Sequence, residues 1–334
     1  MNSKIIKSYI QQNFSALCSD GALFDELALE VFSLQRAENS LYKAYLELTG
    51  QDSVVPQTAA EVPVLPIQLF KSQDTRTGNW TPTDFFLSSG TTGMEQSRHP
   101  VRDMEWYDWV SRQIFESFYG PVEGYSFLAL LPGYLERTGS SLIAMMHSFI
   151  AQSRSPHSGF FLHDTDALLG HLEASRKEGF STMLFGVSFA LLDLAESGER
   201  DLDGVVVMET GGMKGRRKEI IRSELHELLQ QQWHLDAVHS EYGMTELFSQ
   251  GYSRGGGMFE PGATMRVFSR DMTDPFASVG YHRTGALNVV DLANVDTISF
   301  IATEDLGKCY PNGTFEVLGR LDNSDIRGCN LLLG

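Results

Sequence analysis

The sequence predicts an α/β protein in which mixed sheets flanked by helices are followed by a β-rich carboxy-terminal part. Three observations support this fold class. Strand-like apolar runs alternate with helical patterns through the middle of the chain, and short β runs separated by Gly, Asp and Pro turns fill the last third. The length of 334 residues accommodates two domains or one large α/β domain.

Composition and charge exclude several classes of protein. The chain carries 26 Lys and Arg against 43 Asp and Glu, a formal net charge of −17, so we expect no nucleic-acid partner. Its three cysteines are too few and too scattered for a disulfide framework. No apolar stretch approaches the ~18 residues needed to cross a bilayer, so we expect no membrane span and a cytoplasmic location.

The amino-terminal part, about residues 1–50, has helical periodicity. Apolar side chains recur at helical spacing from Ile5 to Phe14 and again from Leu23 to Phe32. A connection punctuated by three prolines follows over residues 50–66. Phe85-Phe86-Leu87 then predicts a short strand.

The middle and the last third are predicted by apolar runs and their flanking turn residues. The predicted helices are Met104 to Tyr119, Ser140 to Ala151, Ser188 to Leu194 and about Lys214 to Gln232. The predicted strands are Tyr125 to Leu131, Thr182 to Phe185, Gly204 to Met208, Met265 to Phe268, Ala286 to Val290, Thr297 to Ala302 and Thr314 to Val317.

A loop rich in hydroxyls and glycine follows the strand at Phe85. Glycines let backbone N–H groups approach an anion and hydroxyls add further donors, which is what a polyphosphate needs. The Gly-Lys-Ser/Thr ending of a Walker loop is missing, and an ordinary strand-to-helix turn is the alternative. The loop residues are Ser88, Ser89, Gly90, Thr91, Thr92 and Gly93.

Two later motifs carry polar side chains suited to a nucleotide. In Tyr242-Gly243-Met244-Thr245-Glu246, Glu246 could hold Mg²⁺ and Thr245 could meet a phosphate oxygen. Asp305 could accept both hydroxyls of a ribose, and Arg320 could meet ribose or phosphate in a forked contact. Taken singly, each motif is as well explained by a surface charge or a turn.

Together and in this order, the motifs resemble the adenylate-forming superfamily, which includes acyl-CoA synthetases and firefly-type luciferases. Further blocks resemble the acyl-protein synthetase family, the fatty-acid-activating component of the bacterial bioluminescence fatty-acid reductase. The resemblance runs from about residue 60 to the end. Its blocks are Leu131 to Arg137 with Gly139 to Leu142, Glu209 to Gly215, His239 to Glu246 and Ser324 to Leu332.

The resemblance implies where a nucleotide would bind. The loop Ser88 to Gly93 would cradle the β- and γ-phosphates of ATP, and Gly211 and Gly212 would lie against the adenine. Asp305 and Arg320 would bind the ribose. A carboxylate would attack the α-phosphorus, giving an acyl-adenylate and pyrophosphate, and a thiolate would then take the acyl group.

The Tyr-Gly-x-Thr-Glu motif receives the remaining nucleotide roles from the resemblance. Tyr242 with Gly243 would lie on or near the adenine, Thr245 would reach the α-phosphate, and Glu246 would hold Mg²⁺. The last two would act at the reacting phosphate and are therefore the implied catalytic groups.

The sequence departs from the superfamily in two places. Met94 and Glu95 follow the glycine loop where a Pro-Lys is usual, so Arg98 or Arg102 could supply the positive charge. The Gly-Arg-x-Asp element usually leads into a small carboxy-terminal lid domain. We therefore expect the large amino-terminal domain of an adenylate-forming enzyme over residues 1–318, with a β-rich subdomain at about 258–318, no lid domain, and a hinge-like tail over 319–334.

Cys329 in this tail is the candidate acyl carrier. The nearby guanidinium of Arg327 should raise the thiolate fraction, and a cysteine near the carboxy terminus is the acylated residue of acyl-protein synthetases. A free thiol on a frayed terminus is the alternative. His147 and His239 could line an acyl pocket, although a lone histidine is more often a core residue.

Three functions are compatible with these motifs. The first is an AMP-forming acid–thiol ligase of the long-chain-fatty-acid protein ligase type, which passes a fatty acyl group through a thioester on Cys329 to an acyl-CoA reductase-like or carrier-protein partner. The second is a ligase of the phenylacetate-CoA ligase type that acylates CoA or a carrier protein directly. The third is a non-catalytic nucleotide- or acyl-binding subunit of a complex.

Overall fold

The computed structural model of the chain describes residues 1–88, 95–131, 139–161, 164–211 and 220–321. The α-helices in this part are α1 (Ser3–Leu17), α2 (Gly21–Glu38), α3 (Ser40–Leu48), α4 (Leu69–Ser72), α5 (Met104–Tyr119), α6 (Ser141–Gln152), α7 (Thr165–Lys177), α8 (Ser188–Glu196) and α9 (Arg222–Trp233). None of these helices is long and apolar enough to cross a membrane.

Strands alternate with these helices across the described segments. They are β1 (Leu65–Pro66), β2 (Asp84–Leu87), β3 (Arg98–Val101), β4 (Tyr125–Leu130), β5 (Gly159–Phe160), β6 (Ser181–Val187), β7 (Val205–Thr210), β8 (His239–Tyr242), β9 (Gly251–Ser253), β10 (Met258–Pro261), β11 (Met265–Arg270), β12 (Thr284–Asp291), β13 (Phe300–Cys309) and β14 (Phe315–Arg320). The mixed α/β class with a β-rich last third is confirmed.

One predicted strand is displaced. Residues 297–299, which the apolar pattern places in a strand, lie before β13, because the Thr297 amide donates to the Asn294 carbonyl at 2.9 Å and closes a turn. The strand itself begins at Phe300 and continues to Cys309. Of the helix predicted from Lys214, residues 214–219 lie outside the described residues, and α9 begins at Arg222.

The described residues form two compact units. The first unit comprises the described residues of segments 1–83, 89–102 and 260–334, and the second those of 84–88 and 103–259. In the first unit, β11, β12, β13 and β14 pair antiparallel in chain order, and β1 adds parallel to β13. Chain neighbours that pair in this way form a meander.

The amino-terminal helices belong to the first unit and pack on its sheet. Each of α1, α2 and α3 begins with an Asn or Asp side chain that caps it, and their buried faces follow the predicted periodicity. Phe32 and Tyr42 each lie about 6 Å from the ring of Phe300 on β13. Asn39 donates to the carbonyls of Thr75 and Thr297, so one buried amide joins the helices to two distant loops.

The second unit is built on a parallel sheet. Its strand order is β5-β4-β6-β7-β8, and β9 joins antiparallel at β8. This is a doubly wound order, in which the helices cover both faces and the carboxyl ends of all the parallel strands share one edge. The middle strands β4, β6 and β7 are almost wholly buried, as expected for a sheet covered on both sides.

Candidate active site

Four segments meet the carboxyl edge of this parallel sheet. They follow β4, β6, β7 and β8, and begin at Leu131, Ser188, Gly211 and Gly243. In open α/β sheets, ligands bind outside the carboxyl ends of the strands. Two motifs predicted from the sequence, Gly211 and the Tyr-Gly-x-Thr-Glu segment, therefore come to the same edge on neighbouring strands.

Gly211 turns the chain sharply at the end of β7. Its φ is +71°, a conformation that only glycine adopts without strain, and the residue is exposed. The Ser188 Oγ lies 3.2 Å from the Gly211 carbonyl oxygen, which brings the ends of β6 and β7 together. Gly212, the second predicted glycine, lies outside the described residues.

The segment that begins at the end of β8 runs from a buried tyrosine through exposed and half-buried residues to a buried glutamate. Tyr242 is 7% exposed and its ring lies 5.9 Å from that of Phe259. Gly243 is exposed, Thr245 is half-buried, and Glu246 is 6% exposed. The Leu247 amide donates to the Met244 carbonyl at 3.1 Å, so the segment turns back on itself directly after the strand.

A single buried carboxylate is compatible with Mg²⁺. Among the described residues, no group of three or more His, Cys, Asp or Glu side chains could enclose a metal ion. In phosphoryl-binding sites, however, Mg²⁺ is usually held by one or two carboxylates together with the phosphates. The donor set at Glu246 therefore fits an ion brought in with a nucleotide.

Glu209, to which the sequence motifs assign no site role, forms a buried polar network behind Gly211. Ser188 donates to its Oε1 at 2.5 Å and Ser240 to its Oε2 at 3.1 Å. The Arg222 guanidinium and the His226 ring, both on α9, lie 3.4 and 3.8 Å from Oε2.

This network determines the protonation state of Glu209. Burial raises the pKa of Glu209, but the contacts from His226, Arg222 and Ser188 outweigh burial and hold the pKa below its ordinary value. The carboxylate is therefore ionised at neutral pH. The available signal in the sequence is an acidic residue directly after the apolar run Val205 to Met208 and just before the turn glycine.

Glu241 is the second buried acid at this edge. Thr210 donates to its Oε2 at 2.5 Å, and strand register places these two residues opposite each other. Burial raises the pKa of Glu241, the hydrogen bond from Thr210 lowers it, and the nearby Glu209 charge raises it, so that the pKa lies at about 7. The sequence motifs give Glu241 no role, although it precedes Tyr242 directly.

Tyr119, the last residue of α5, contacts His239, the first residue of β8. The Tyr119 hydroxyl and the His239 Nδ1 lie 3.0 Å apart. Burial, with the charges of Arg254 and His226, lowers the pKa of His239, so its ring is neutral at pH 7. His239 is thus a satisfied, half-buried residue of the second unit.

The two predicted ribose-binding residues lie together in the first unit. Asp305 on β13 is the register partner of Arg320 on β14, and Arg320 Nε lies 3.7 Å from Asp305 Oδ1. The Arg320 side chain is 80% exposed and that of Asp305 is 13% exposed. A carboxylate held against the strand beside an exposed guanidinium offers both an acceptor and a forked donor to a ligand.

The hydroxyl loop and the tail are only partly described. Ser88 is half-buried at the end of β2, where the Leu87 amide donates to the Gly139 carbonyl at 2.7 Å. The predicted loop residues Ser89, Gly90, Thr91, Thr92 and Gly93 lie outside the described residues. The same is true of Cys329.

Arg102, one of the two candidates for the missing lysine, has a partner elsewhere in the first unit. Its Nη1 lies 3.0 Å from Asp296 Oδ1, and Lys7 Nζ lies 2.6 Å from Oδ2 of the same carboxylate. Burial raises the pKa of Asp296, but Lys7, Ser3 and Arg102 together hold it below its ordinary value. In this structure Arg102 therefore helps to fix α1.

Comparisons with solved structures identify the fold. No model of a protein family matches the chain, and no curated protein sequence matches it. The 2-hydroxyisobutyryl-CoA ligase in complex with 2-HIB-AMP and CoA matches with a TM-score of 0.64 and 14% identity, over 92% of this chain and 70% of that one. The same ligase in its postadenylation state matches with a TM-score of 0.64 and 13% identity, over 92% and 69%.

A second ligase matches a smaller part. ATP-bound MatB from Rhodopseudomonas palustris has a TM-score of 0.52 and 16% identity, over 71% of this chain and 47% of its own. The chain thus spans about half the length of the MatB structures that it matches. At these identities the similarity concerns the fold, and the chain has the fold of the large amino-terminal domain of adenylate-forming enzymes.

Proposed function

We propose that the protein is an AMP-forming ligase that activates a carboxylic acid with ATP and passes the acyl group to a thiol. The observation that carries this proposal is the convergence of Gly211 and the Tyr242–Glu246 segment at one edge of the doubly wound sheet. Similar folds hold an adenylate or ATP, as the ligase structures with 2-HIB-AMP and with ATP illustrate.

Each residue has a role that its environment permits. Gly211 and Gly243 expose backbone beside Tyr242, which suits the flat face of an adenine. Thr245 would donate to an α-phosphate oxygen, and Glu246 would hold Mg²⁺, which supplies positive charge to the phosphates. The loop Ser88 to Gly93 would receive the β- and γ-phosphates.

Asp305 and Arg320 would bind the ribose. The Asp305 carboxylate would accept hydrogen bonds from the ribose hydroxyls. Its partner Arg320 on β14 is 80% exposed, so the contact between the two side chains can be replaced by a contact with the ligand. Loss of that surface ion pair would cost little, whereas charge-assisted hydrogen bonds to the nucleotide are stronger.

The reaction then has two steps. A carboxylate oxygen of the acid attacks the α-phosphorus and the bond to the β-phosphate oxygen breaks, releasing pyrophosphate. A thiolate next attacks the acyl carbon, and AMP leaves with the electrons of the broken C–O bond. We propose a fatty acid as substrate and Cys329 as the first thiol, with an acyl-CoA reductase-like or carrier protein as the final acceptor.

The other two cysteines are poorly suited to this step. Burial raises the pKa of the Cys309 thiol to about 11, which leaves almost no thiolate at neutral pH. Cys18 is exposed after α1, but partial burial raises the pKa of its thiol, which donates to the Phe14 carbonyl at 3.8 Å. These environments favour Cys329 as the acceptor.

A labelling experiment tests the thiol. The protein is incubated with ATP, Mg²⁺ and a radiolabelled fatty acid, separated under denaturing conditions, and treated with neutral hydroxylamine, which cleaves thioesters. We expect a hydroxylamine-labile label in the wild type and in Cys18→Ser, and none in Cys329→Ser. A label that survives in Cys329→Ser would contradict the carrier role.

Direct transfer to CoA is the second candidate, since one of the ligase structures that match 92% of the chain is a complex with CoA. In that case the wild type would form labelled acyl-CoA when CoA is added, Cys329→Ser would do so at the same rate, and no protein-bound label would form. The same incubation therefore separates the two routes.

A further inference from the structure

Two buried acids occupy opposite faces of one strand pair. Glu209 is opposite Ser240, and Thr210 is opposite Glu241, in the parallel register of β7 and β8. Successive side chains on a strand point to opposite faces, so the two carboxyl groups are separated by the sheet. On one face Ser240 bonds Glu209, and on the other Thr210 bonds Glu241.

The two faces differ in charge. Glu209 faces the Arg222 guanidinium and the His226 ring from α9. Glu241 faces Thr210 on β7, Tyr252 on β9, and, around Tyr252, the phenols of Tyr107 and Tyr119 from α5. No described cation forms an ion pair with Glu241, and the described charge that acts on it is the negative one of Glu209.

The surroundings of Glu241 also contain polar atoms without hydrogen bonds. Gln250 Oε1 and the Tyr252 hydroxyl are both buried and have no hydrogen-bond partner among the described residues. The Gln250 amide nitrogen donates to the Phe248 carbonyl at 2.9 Å, so the atom without a partner, Oε1, is an acceptor. A carboxylate would add further acceptors beside Gln250 Oε1, whereas a carboxylic acid brings an O–H donor; the Tyr252 hydroxyl, both donor and acceptor, suits either form.

Glu241 lies directly under the turn that follows β8. A Cβ atom added at Gly243 would lie 2.3 Å from Glu241 Oε1 and 3.8 Å from Gln250 Cγ. The carboxyl group thus fills the space beneath the backbone of Gly243 while its other oxygen is bonded to Thr210. One side chain therefore touches the end of β7 and supports the turn after β8.

We propose that Glu241 is a positioning residue of the nucleotide site, and that it acts as a neutral carboxylic acid that holds the Tyr242–Gly243 turn against the Thr210–Gly211 end of β7. The identity of the ligand rests on the proposed function. The raised pKa of about 7 supports the neutral form, because much of the group is then protonated at neutral pH. Ionisation would place an unpaired charge beneath the turn.

Nucleotide binding provides the first test. Calorimetric titration with AMP compares the wild type, Glu241→Gln, Glu241→Ala and the control Glu227→Gln at pH 6 and pH 8.5. Glutamine keeps the shape and the neutral state, so it should bind AMP like the wild type at pH 6. At pH 8.5 the wild type should be weaker than Glu241→Gln by about 10-fold or more, because only the neutral fraction is competent.

The alanine variant tests positioning. Glu241→Ala should bind AMP at least about 10-fold more weakly than the wild type at pH 6, and Glu227→Gln should match the wild type at both pH values. Comparing variants at one pH removes the titration of AMP itself. The proposal is overturned if Glu241→Gln is as weak as Glu241→Ala at pH 6, or if Glu241→Ala binds normally.

Amide hydrogen exchange separates this proposal from the proposed function. At pH 6 without ligand, Glu241→Ala should exchange faster than the wild type in peptides covering residues 209–211 and 239–247, and Glu241→Gln should not. If the wild type fails to bind AMP while this exchange pattern holds, the nucleotide function fails and the positioning role stands. If Glu241→Ala folds and its exchange is unchanged, the positioning role is refuted. If Glu241→Ala does not fold, faster exchange in Glu241→Gln than in the wild type would refute it instead.

Discussion

The two units contain the same kind of ion pair in opposite environments. In the second unit Glu209 is buried beside His226 and the half-buried Arg222, whereas in the first unit the Arg320 that faces Asp305 is 80% exposed. A buried charge that loses its partner is left without solvent, but an exposed guanidinium is simply rehydrated. We infer that the Glu209 network fixes the shape of its site, and that the Asp305 pair is available to a ligand.

The largest expected effect is the loss of Glu209. Glu209→Ala removes the acceptor for two hydroxyls and leaves the half-buried Arg222 guanidinium without its ion-pair partner, so we expect the free energy of unfolding to fall by about 3–5 kcal/mol. Urea denaturation followed by tryptophan fluorescence measures it. Glu227→Gln on α9 is the control, and a loss below ~1 kcal/mol would contradict a buried charge network at Glu209.

The next effect is a pH dependence at Glu241. Its pKa rises from 4.5 to about 7 on folding, so the folded state binds the proton more tightly. The resulting stability is complete below about pH 4.5 and is lost as the pH rises through 7, a loss of up to about 3 kcal/mol. Glu241→Gln should not show this loss.

Urea denaturation of the wild type and Glu241→Gln at pH 5 and pH 8 checks this expectation. The variant should gain stability relative to the wild type as the pH rises. A difference between the two proteins that stays constant across this range would show that Glu241 does not titrate in the folded protein.

A smaller effect is expected at Gly243. A methyl group there would be 2.3 Å from Glu241 Oε1, so Gly243→Ala should cost about 1–3 kcal/mol through forced displacement. In a Glu241→Ala background the same change should cost much less, since the clashing oxygen is gone. Equal costs in both backgrounds, measured as a double-mutant cycle, would exclude this contact as the cause.

The smallest effect on stability is expected at the exposed pair. Asp305→Asn should change the free energy of unfolding by less than about 1 kcal/mol. If Asp305 binds ribose, AMP binding should nevertheless weaken by about 10-fold or more, since a hydrogen bond to a charged group is lost. Calorimetry with AMP and denaturation on the same sample measure both, and a stability loss without an affinity loss would contradict the ribose role.

Periodicity predicts the elements that carry the site. The helix over Met104–Tyr119 and the strand at Phe85-Phe86-Leu87 occur as predicted, because the amphipathic pattern and the apolar run agree with their burial. The predicted strand Gly204 to Met208 also occurs, but it extends to Thr210, which places Gly211 directly after it. The strand His239–Tyr242, which places Gly243 at the same edge, is not predicted by the apolar pattern.

The contacts across the sheet could not be predicted in this way. Ser240 and Glu241 are each 31 residues from their partners on β7, and Gln35 reaches the Asn294 carbonyl over 259 residues. Strand register and helix docking determine these contacts, and the residues near each partner in the sequence do not reveal them. The network of Glu209 and the position of Glu241 therefore emerge only from the folded chain.

Exchange of labelled pyrophosphate into ATP tests the central claim most directly, because it requires reversible adenylation and no acyl acceptor. Wild-type protein with Mg²⁺ is assayed against fatty acids of several lengths and against aryl acids, with Glu246→Gln as the site variant and Glu227→Gln as its control. We predict acid-dependent exchange in the wild type and the control, reduced at least about 10-fold in Glu246→Gln. Absence of exchange with every acid, in wild-type protein that is folded, would contradict acid activation by this chain.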